Sequence, residues 1–156
     1  MKDRREAKSW TRERLVAALA HGFSGRLGVR LVQATRDRIV GEMTILPDHL
    51  SDAGAAHGGV LMAFADTLAA CGARLNLPPR TATTTLESKI NFLSPCGLGR
   101  IVGESVPVHV GRSTSIWRTE IRATSGTRLA FVVQTQMVLT PTRSRRGAAA
   151  LSRARS

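Results

Sequence analysis

The stretch AHGGVLMAFADTLAACGA, residues 56–73, decides how the rest of the chain is read. After the paired glycines Gly58 and Gly59 it is apolar on nearly all sides, which in a globular domain marks a helix buried in the core. One charge, Asp66, interrupts it. The nearest charged residues along the chain are Asp52 and Arg74, so no neighbour three or four residues away can pair with this carboxylate. An unpaired charge inside a core is costly, and a chain that keeps one gives it a partner or a chemical task.

The helix start carries a second feature. Gly58 and Gly59 let the backbone turn sharply and let a ligand approach, and the first N–H groups of a helix have no acceptor within it. With the positive end of the helix dipole, these donors suit a carbonyl oxygen that becomes negative during reaction. An oxyanion hole and a carboxylate together describe an acyl-transfer site. Gly58 and Asp66 are eight residues apart, roughly 12 Å of helical rise, so one carbonyl centre cannot touch both in a single chain. A site using both requires two antiparallel copies of this helix side by side across a two-fold axis.

His57-Gly58-Gly59, with an acidic residue eight positions after the first glycine, resembles the hotdog-fold acyl-CoA thioesterases of the phenylacetate-pathway (PaaI-like) type. The segment TLESKINFLSP, residues 85–95, resembles that family's strand after the helix, with its aromatic, aliphatic and proline ending. Order and spacing agree over about residues 25–141. The resemblance implies an α+β hotdog fold, a long central helix wrapped by a curved antiparallel sheet, in double-hotdog homodimers often paired into homotetramers. It implies hydrolysis of an acyl-CoA or aryl-CoA thioester to free acid and CoA. No metal or redox cofactor is expected, coenzyme A being part of the substrate.

The resemblance also assigns roles. Asp66 stands where the family has a nucleophile or a general base on water, and the residues leave both open. Gly58 supplies the oxyanion N–H. Gly59 also lies where backbone can approach substrate, although close packing explains it as well. Thr85 aligns with a hydroxyl that positions water in some members, and it is equally a β-branched strand residue. His57 is a candidate base, but beside a helix N-terminus a histidine more often stays neutral and holds the loop. Some relatives have an asparagine six residues before the histidine; here that position is Ser51, which reaches less far. Arg112 and Ser113, in the turn after Gly111, match the basic turn that meets the nucleotide end of CoA. Met62, Phe64 and Leu68 are candidates to line an acyl pocket. Hotdog dehydratases are a poorer match, because Asp48-His49-Leu50-Ser51 does not fit their Asp-x-Asn-Pro-x-His motif. The reading from another class is a non-catalytic acyl-CoA-binding regulator with a nucleic-acid-binding basic tail, and the retention of Asp66 argues against it.

Composition bounds these readings. The chain has 156 residues, 42% of them hydrophobic and 22% charged, enough for one domain with a proper core. Its net charge of +12 divides unevenly: residues 1–14 carry +3, residues 143–156 carry +5, and the remainder only +4. Basic excess at the ends is ordinarily solvated tail, so nucleic acid is not expected as a specific partner. No uninterrupted apolar run has spanning length and no apolar signal segment follows the basic N-terminus, so a cytoplasmic protein without a membrane partner is expected. Cys71 and Cys96 have neither metal-ligand spacing nor the density of a disulfide scaffold. No metal site is expected.

Taken in order, residues 1–24 form a basic segment with a short helix, capped by Ser9 or Thr11, whose apolar positions are Leu15, Val16, Leu19 and Phe23. Residues 25–141 form the hotdog domain. Strands are expected over 27–34, 39–46, 82–91, 101–110, 114–123 and 129–139, with a loop over 47–55 and a central helix over 59–76 stopped by Pro78-Pro79. Residues 142–156 read as an arginine-rich tail, disordered or an alanine-rich helix formed only against a partner.

Overall fold

The computed structural model describes residues 9–141. The tail expected over 142–156 lies outside the described residues. The chain runs α1 (Arg12–Leu19), α2 (Gly22–Arg26), β1 (Arg30–Ala34), β2 (Ile39–Ile45), α3 (Gly58–Leu75), β3 (Ala82–Phe92), β4 (Gly99–Val110), β5 (Thr114–Ala123) and β6 (Arg128–Leu139). The N-terminal helix expected as one piece is two. Thr11 caps α1 by accepting the Arg14 N–H at 3.3 Å, and Leu15 and Leu19 are buried while Val16 and Phe23 are exposed. The first strand starts three residues later than expected. Leu27 closes α2, and Gly28, at a φ of 71°, turns the chain before β1.

The six strands form one antiparallel sheet in the order β1-β2-β4-β5-β6-β3, with α3 packed on one face. Alternation sets which residues face the helix. From β2 they are Ile39, Gly41, Met43 and Ile45; from β4 Ile101, Gly103 and Ser105; from β5 Ser115, Trp117, Thr119 and Ile121. β6 contributes Ala130, Val132, Gln134 and Gln136. Ser105, Thr119, Ser115, Gln134 and Gln136 make one part of this inner face polar although it is buried.

Three glycines let helix and sheet come close. A Cβ on Gly41 would lie 2.5 Å from Leu68, one on Gly103 2.6 Å from Leu68 and 2.8 Å from Phe64, and one on Gly72 2.3 Å from the Trp117 ring. Phe64 and Leu68 therefore fill the core with no exposed surface and do not line an acyl pocket, contrary to the sequence expectation. Among the described residues α3 is long and apolar enough to cross a membrane, yet it is the core helix of this sheet. Only one side of it is covered by the sheet: Gly59, Met62, Ala63, Asp66 and Ala70 are exposed or half-exposed in the single protomer. The expectation of burial on nearly all sides is not met within one chain. Asn76 ends α3, donating from Nδ2 to the carbonyls of Gly72 and Arg36, each at 2.9 Å, before the prolines.

The edge strand β3 contains a bulge: Thr85 pairs with Gln136 and Glu87 with Thr135, leaving Leu86 extra. The added residue flips the alternation, so Thr83 and Thr85 before it and Ser88 and Ile90 after it face α3. Without it Glu87 would stand where Ser88 now donates to Met62 Sδ at 3.1 Å.

Gly72→Ala is expected to destabilise the fold by about 1–2 kcal/mol in denaturant melts, because displacement of the Trp117 ring outweighs the gain in helix propensity. An increase in stability would show that the helix is not seated on that ring.

Candidate active site

Asp66 sits two turns into α3, on the side facing β3 and β6, and is half-exposed. It is not an isolated buried charge. Its Oδ1 accepts from the Thr85 hydroxyl at 2.7 Å and from Gln134 Nε2 at 3.0 Å, while Oδ2 makes no hydrogen bond to a described residue. The network continues behind Thr85. Gln136 Nε2 donates to Thr85 Oγ1 at 2.7 Å, and Thr83 Oγ1 lies 3.1 Å from Gln136 Oε1.

Donor directions follow from the carboxylate, which only accepts when ionised. Thr85 has one proton and gives it to Asp66, so its oxygen must accept from Gln136, and the order Gln136 to Thr85 to Asp66 is fixed. The Gln136 oxygen faces the Thr83 hydroxyl, whose one proton is within reach of both it and the Met137 carbonyl at 3.0 Å. For Gln134 the same logic aims the amide nitrogen at Asp66, which leaves its Oε1 buried without a partner.

The helix start lies elsewhere along β3. A Cβ on Gly58 would meet the Phe92 ring at 2.6 Å, so Gly58 sits at the Phe92 end of the strand and Asp66 toward the Thr85 end. His57 caps α3: its Nδ1 accepts the Gly59 N–H at 3.0 Å, and its own N–H donates to the His49 carbonyl at 2.8 Å. The Gly59 donor is thus occupied, whereas the Gly58 N–H has no partner among the described residues. Beside it a groove of about 380 Å³ is lined by Ala56, Gly58, Leu61, Phe92, Leu93 and Pro95.

The remaining candidates fall apart from Asp66. Ser51 is turned into its own loop, donating from Oγ to the Ala55 carbonyl at 3.0 Å. Arg112 and Ser113 are exposed at the β4–β5 turn. That turn lies two strands from Thr85, because Thr85, Gln136 and Ser115 form one row across β3, β6 and β5. Burial pushes the Cys71 thiol up to about 12 and raises that of Cys96, so neither is a ready thiolate. No group of three His, Cys, Asp or Glu side chains gathers as metal ligands among the described residues.

The structure therefore joins Asp66 to Thr85, ties His57 to Gly59, and adds Gln134 and Gln136, which the sequence reading missed. Their signal was present: on a strand with inward positions at 130, 132, 134 and 136, two successive inward residues are amides where apolar side chains are the rule.

One long helix on a six-stranded antiparallel sheet is the hotdog fold, and the class of protein is a thioester hydrolase. The chain belongs to the thioesterase superfamily, whose family model matches residues 53–130. A Bacillus subtilis relative named as an esterase, ComA2, is 32% identical over 105 residues, covering 66% of this chain and 82% of that one. The 1,4-dihydroxy-2-naphthoyl-CoA hydrolase of Listeria monocytogenes is 26% identical over 100 residues, 64% of this chain and 81% of the relative. Among solved structures, thioesterase HI1161 from Haemophilus influenzae superposes with a TM-score of 0.80 at 23% identity, over 90% of this chain and 98% of that one. PaaI from the phenylacetic acid degradation operon of E. coli superposes with a TM-score of 0.70 at 23% identity, over 80% and 86%.

Thr85→Val removes the hydroxyl that joins Asp66 to Gln136 and leaves a buried amide donor unpaired. A loss of about 1–3 kcal/mol is expected in denaturant melts, with Thr85→Ser retaining most of the stability. Equal stability of the valine and serine variants would contradict the assigned network.

Proposed function

We propose that this protein hydrolyses an acyl-CoA or aryl-CoA thioester to the free acid and CoA, at a site shared between two chains. The observation that carries the reading is Asp66, a carboxylate held through Oδ1 by Thr85 and Gln134 with Oδ2 left unbonded. Membership of the thioesterase superfamily supports the reaction class, and the name of the Listeria relative supports CoA as the leaving group.

Two features of the single chain support the dimer. β3 is an unpaired edge strand of 11 residues, and the uncovered side of α3 lies along it. Antiparallel pairing of two β3 edges about their middle brings the Phe92 end of one, with Gly58, beside the Thr85 end of the other. Gly58 and Asp66 of different chains then face one thioester. Two such dimers pairing into a tetramer belong to the same proposal, as does a cytoplasmic location, consistent with a chain of only two cysteines.

In this arrangement the thioester carbonyl oxygen accepts the Gly58 N–H, and the acyl group lies against the adjacent groove. Asp66 Oδ2 takes a proton from water as that water attacks the carbonyl carbon, or attacks the carbon itself to give a mixed anhydride that water then cleaves. Collapse of the tetrahedral intermediate expels CoA as thiolate, and Gly58 N–H stabilises the oxyanion on the way. Thr85 steadies the carboxylate, His57 holds Gly59 and the helix start, and Ser51 shapes the loop before it. Arg112 and Ser113 are proposed to meet the nucleotide end of CoA. Carboxylate and oxyanion donors supply the chemistry without a metal or redox cofactor.

The test is release of CoA thiol from benzoyl-, phenylacetyl-, hexanoyl- and lauroyl-CoA by the wild type and Asp66→Asn. Turnover of at least one ester by the wild type, reduced by about a hundredfold or more in the variant with its oligomeric state intact, is the expected result. Binding of acyl-CoA by both proteins with turnover by neither would instead support the acyl-CoA-binding regulator. In single turnover with ¹⁸O-water, label entering Asp66 shows an anhydride cleaved at the Asp66 carbon and so identifies the nucleophile.

A further inference from the structure

We infer that Gln134 is a positioning residue for this hydrolysis: it fixes Asp66 through Oδ1 and so presents Oδ2 to the substrate. The inference rests on the proposed role of Asp66.

Gln134 is 1% exposed and faces α3 from β6, between Ser88 of β3 and Trp117 of β5 in its row. Its Nε2 reaches Asp66 Oδ1 at 3.0 Å, and its Oε1 is a buried acceptor without a donor. Rotating the amide by half a turn would set its oxygen against the carboxylate, so the orphan is forced by the contact with Asp66. A leucine or methionine would fill the same space without leaving a polar atom unpaired, and an unpaired buried acceptor is a substantial cost. Keeping glutamine here is explained by what its nitrogen does to Asp66, not by packing.

The consequence is an asymmetric carboxylate. Two donors, one from β3 and one from β6, meet on the same oxygen and define the plane of the group between two strands of a rigid sheet. Removing one of them frees the side chain to rotate. Among the described residues no other charged side chain faces Asp66. The helix-facing residues near it are Thr83, Thr85 and Ser88 on β3, Ser115, Trp117 and Thr119 on β5, Ser105 on β4 and Gly41 and Met43 on β2; Glu87 and Lys89 are exposed on either side of Ser88. On α3 the nearest charge is Arg74, two turns on. Across the proposed two-fold the helix start of the second chain brings its His57, with Nδ1 engaged by Gly59.

The experiment measures thermal melts, kcat and KM for Gln134→Met, Gln134→Glu and Asp66→Asn in the full chain, on the ester of the panel turned over fastest. Gln134→Met is expected to melt no lower than the wild type, because it removes the orphan acceptor. Its kcat should fall about tenfold with KM within about twofold. Gln134→Glu, which keeps the length but removes the amide donor, should lose kcat at least as far. An unchanged kcat in Gln134→Met, or a loss of kcat that comes with a lowered melting temperature, overturns the inference while an inactive Asp66→Asn leaves the role of Asp66 standing. Full activity in Asp66→Asn overturns that role itself.

Discussion

The depth at which α3 sits on the sheet governs everything that happens at its middle. Gly41 and Gly103 remove side chains where Leu68 and Phe64 press down, and Gly72 lets the helix rest on the Trp117 ring. Any Cβ at these positions would lift the helix by a fraction of an ångström to more, and close-packed interiors transmit such shifts. A 2.7 Å hydrogen bond from Thr85 and a 3.0 Å one from Gln134 tolerate little of that. Packing by residues that touch no substrate therefore sets the geometry of the carboxylate.

A polar network inside a core is stable only if its donors and acceptors agree. Here an acceptor-only carboxylate sits at the end of the network and imposes one order on Thr85 and Gln136. The same rule strands the Gln134 oxygen. The bulge at Leu86 completes the arrangement by turning Glu87 outward, so that among the described residues Asp66 of α3 is the only charge between the helix and this part of the sheet. A second carboxylate there would repel the first. A strand irregularity, two buried amides and three glycines thus serve one side chain.

The sequence showed much of this and missed what depends on pairing. The helix start, the lone acid and the strand segment after it were legible because their spacing is local, and β3 to β6 were expected nearly where they lie. Thr85 reads equally as a strand residue and as a candidate hydroxyl in the sequence, and only strand register shows that it bonds Asp66. Gln134 and Gln136 are 68 and 70 residues from Asp66, and nothing local connects them. Phe64 and Leu68 were misread as pocket candidates because only the sheet contacts show that they point into the core. One-sided burial of α3 was likewise hidden, since a helix apolar all round looks the same whether its second cover is the same chain or another.

The account turns on one site being built from two chains, and mixing variants tests that directly. Asp66→Asn removes the carboxylate. Gly58→Pro removes the N–H at the first helical position, where proline is favoured and the preceding His57, at φ −61° and ψ 134°, accommodates it. Gly58→Ala controls for the added Cβ against Phe92. Each of the two principal variants alone should be nearly inactive, whereas an equal random mixture should regain about a quarter of wild-type activity, because half of its dimers are mixed and each has one intact site. A mixture in which tagged chains demonstrably exchange, yet activity stays at the sum of the separate variants, would contradict the shared site.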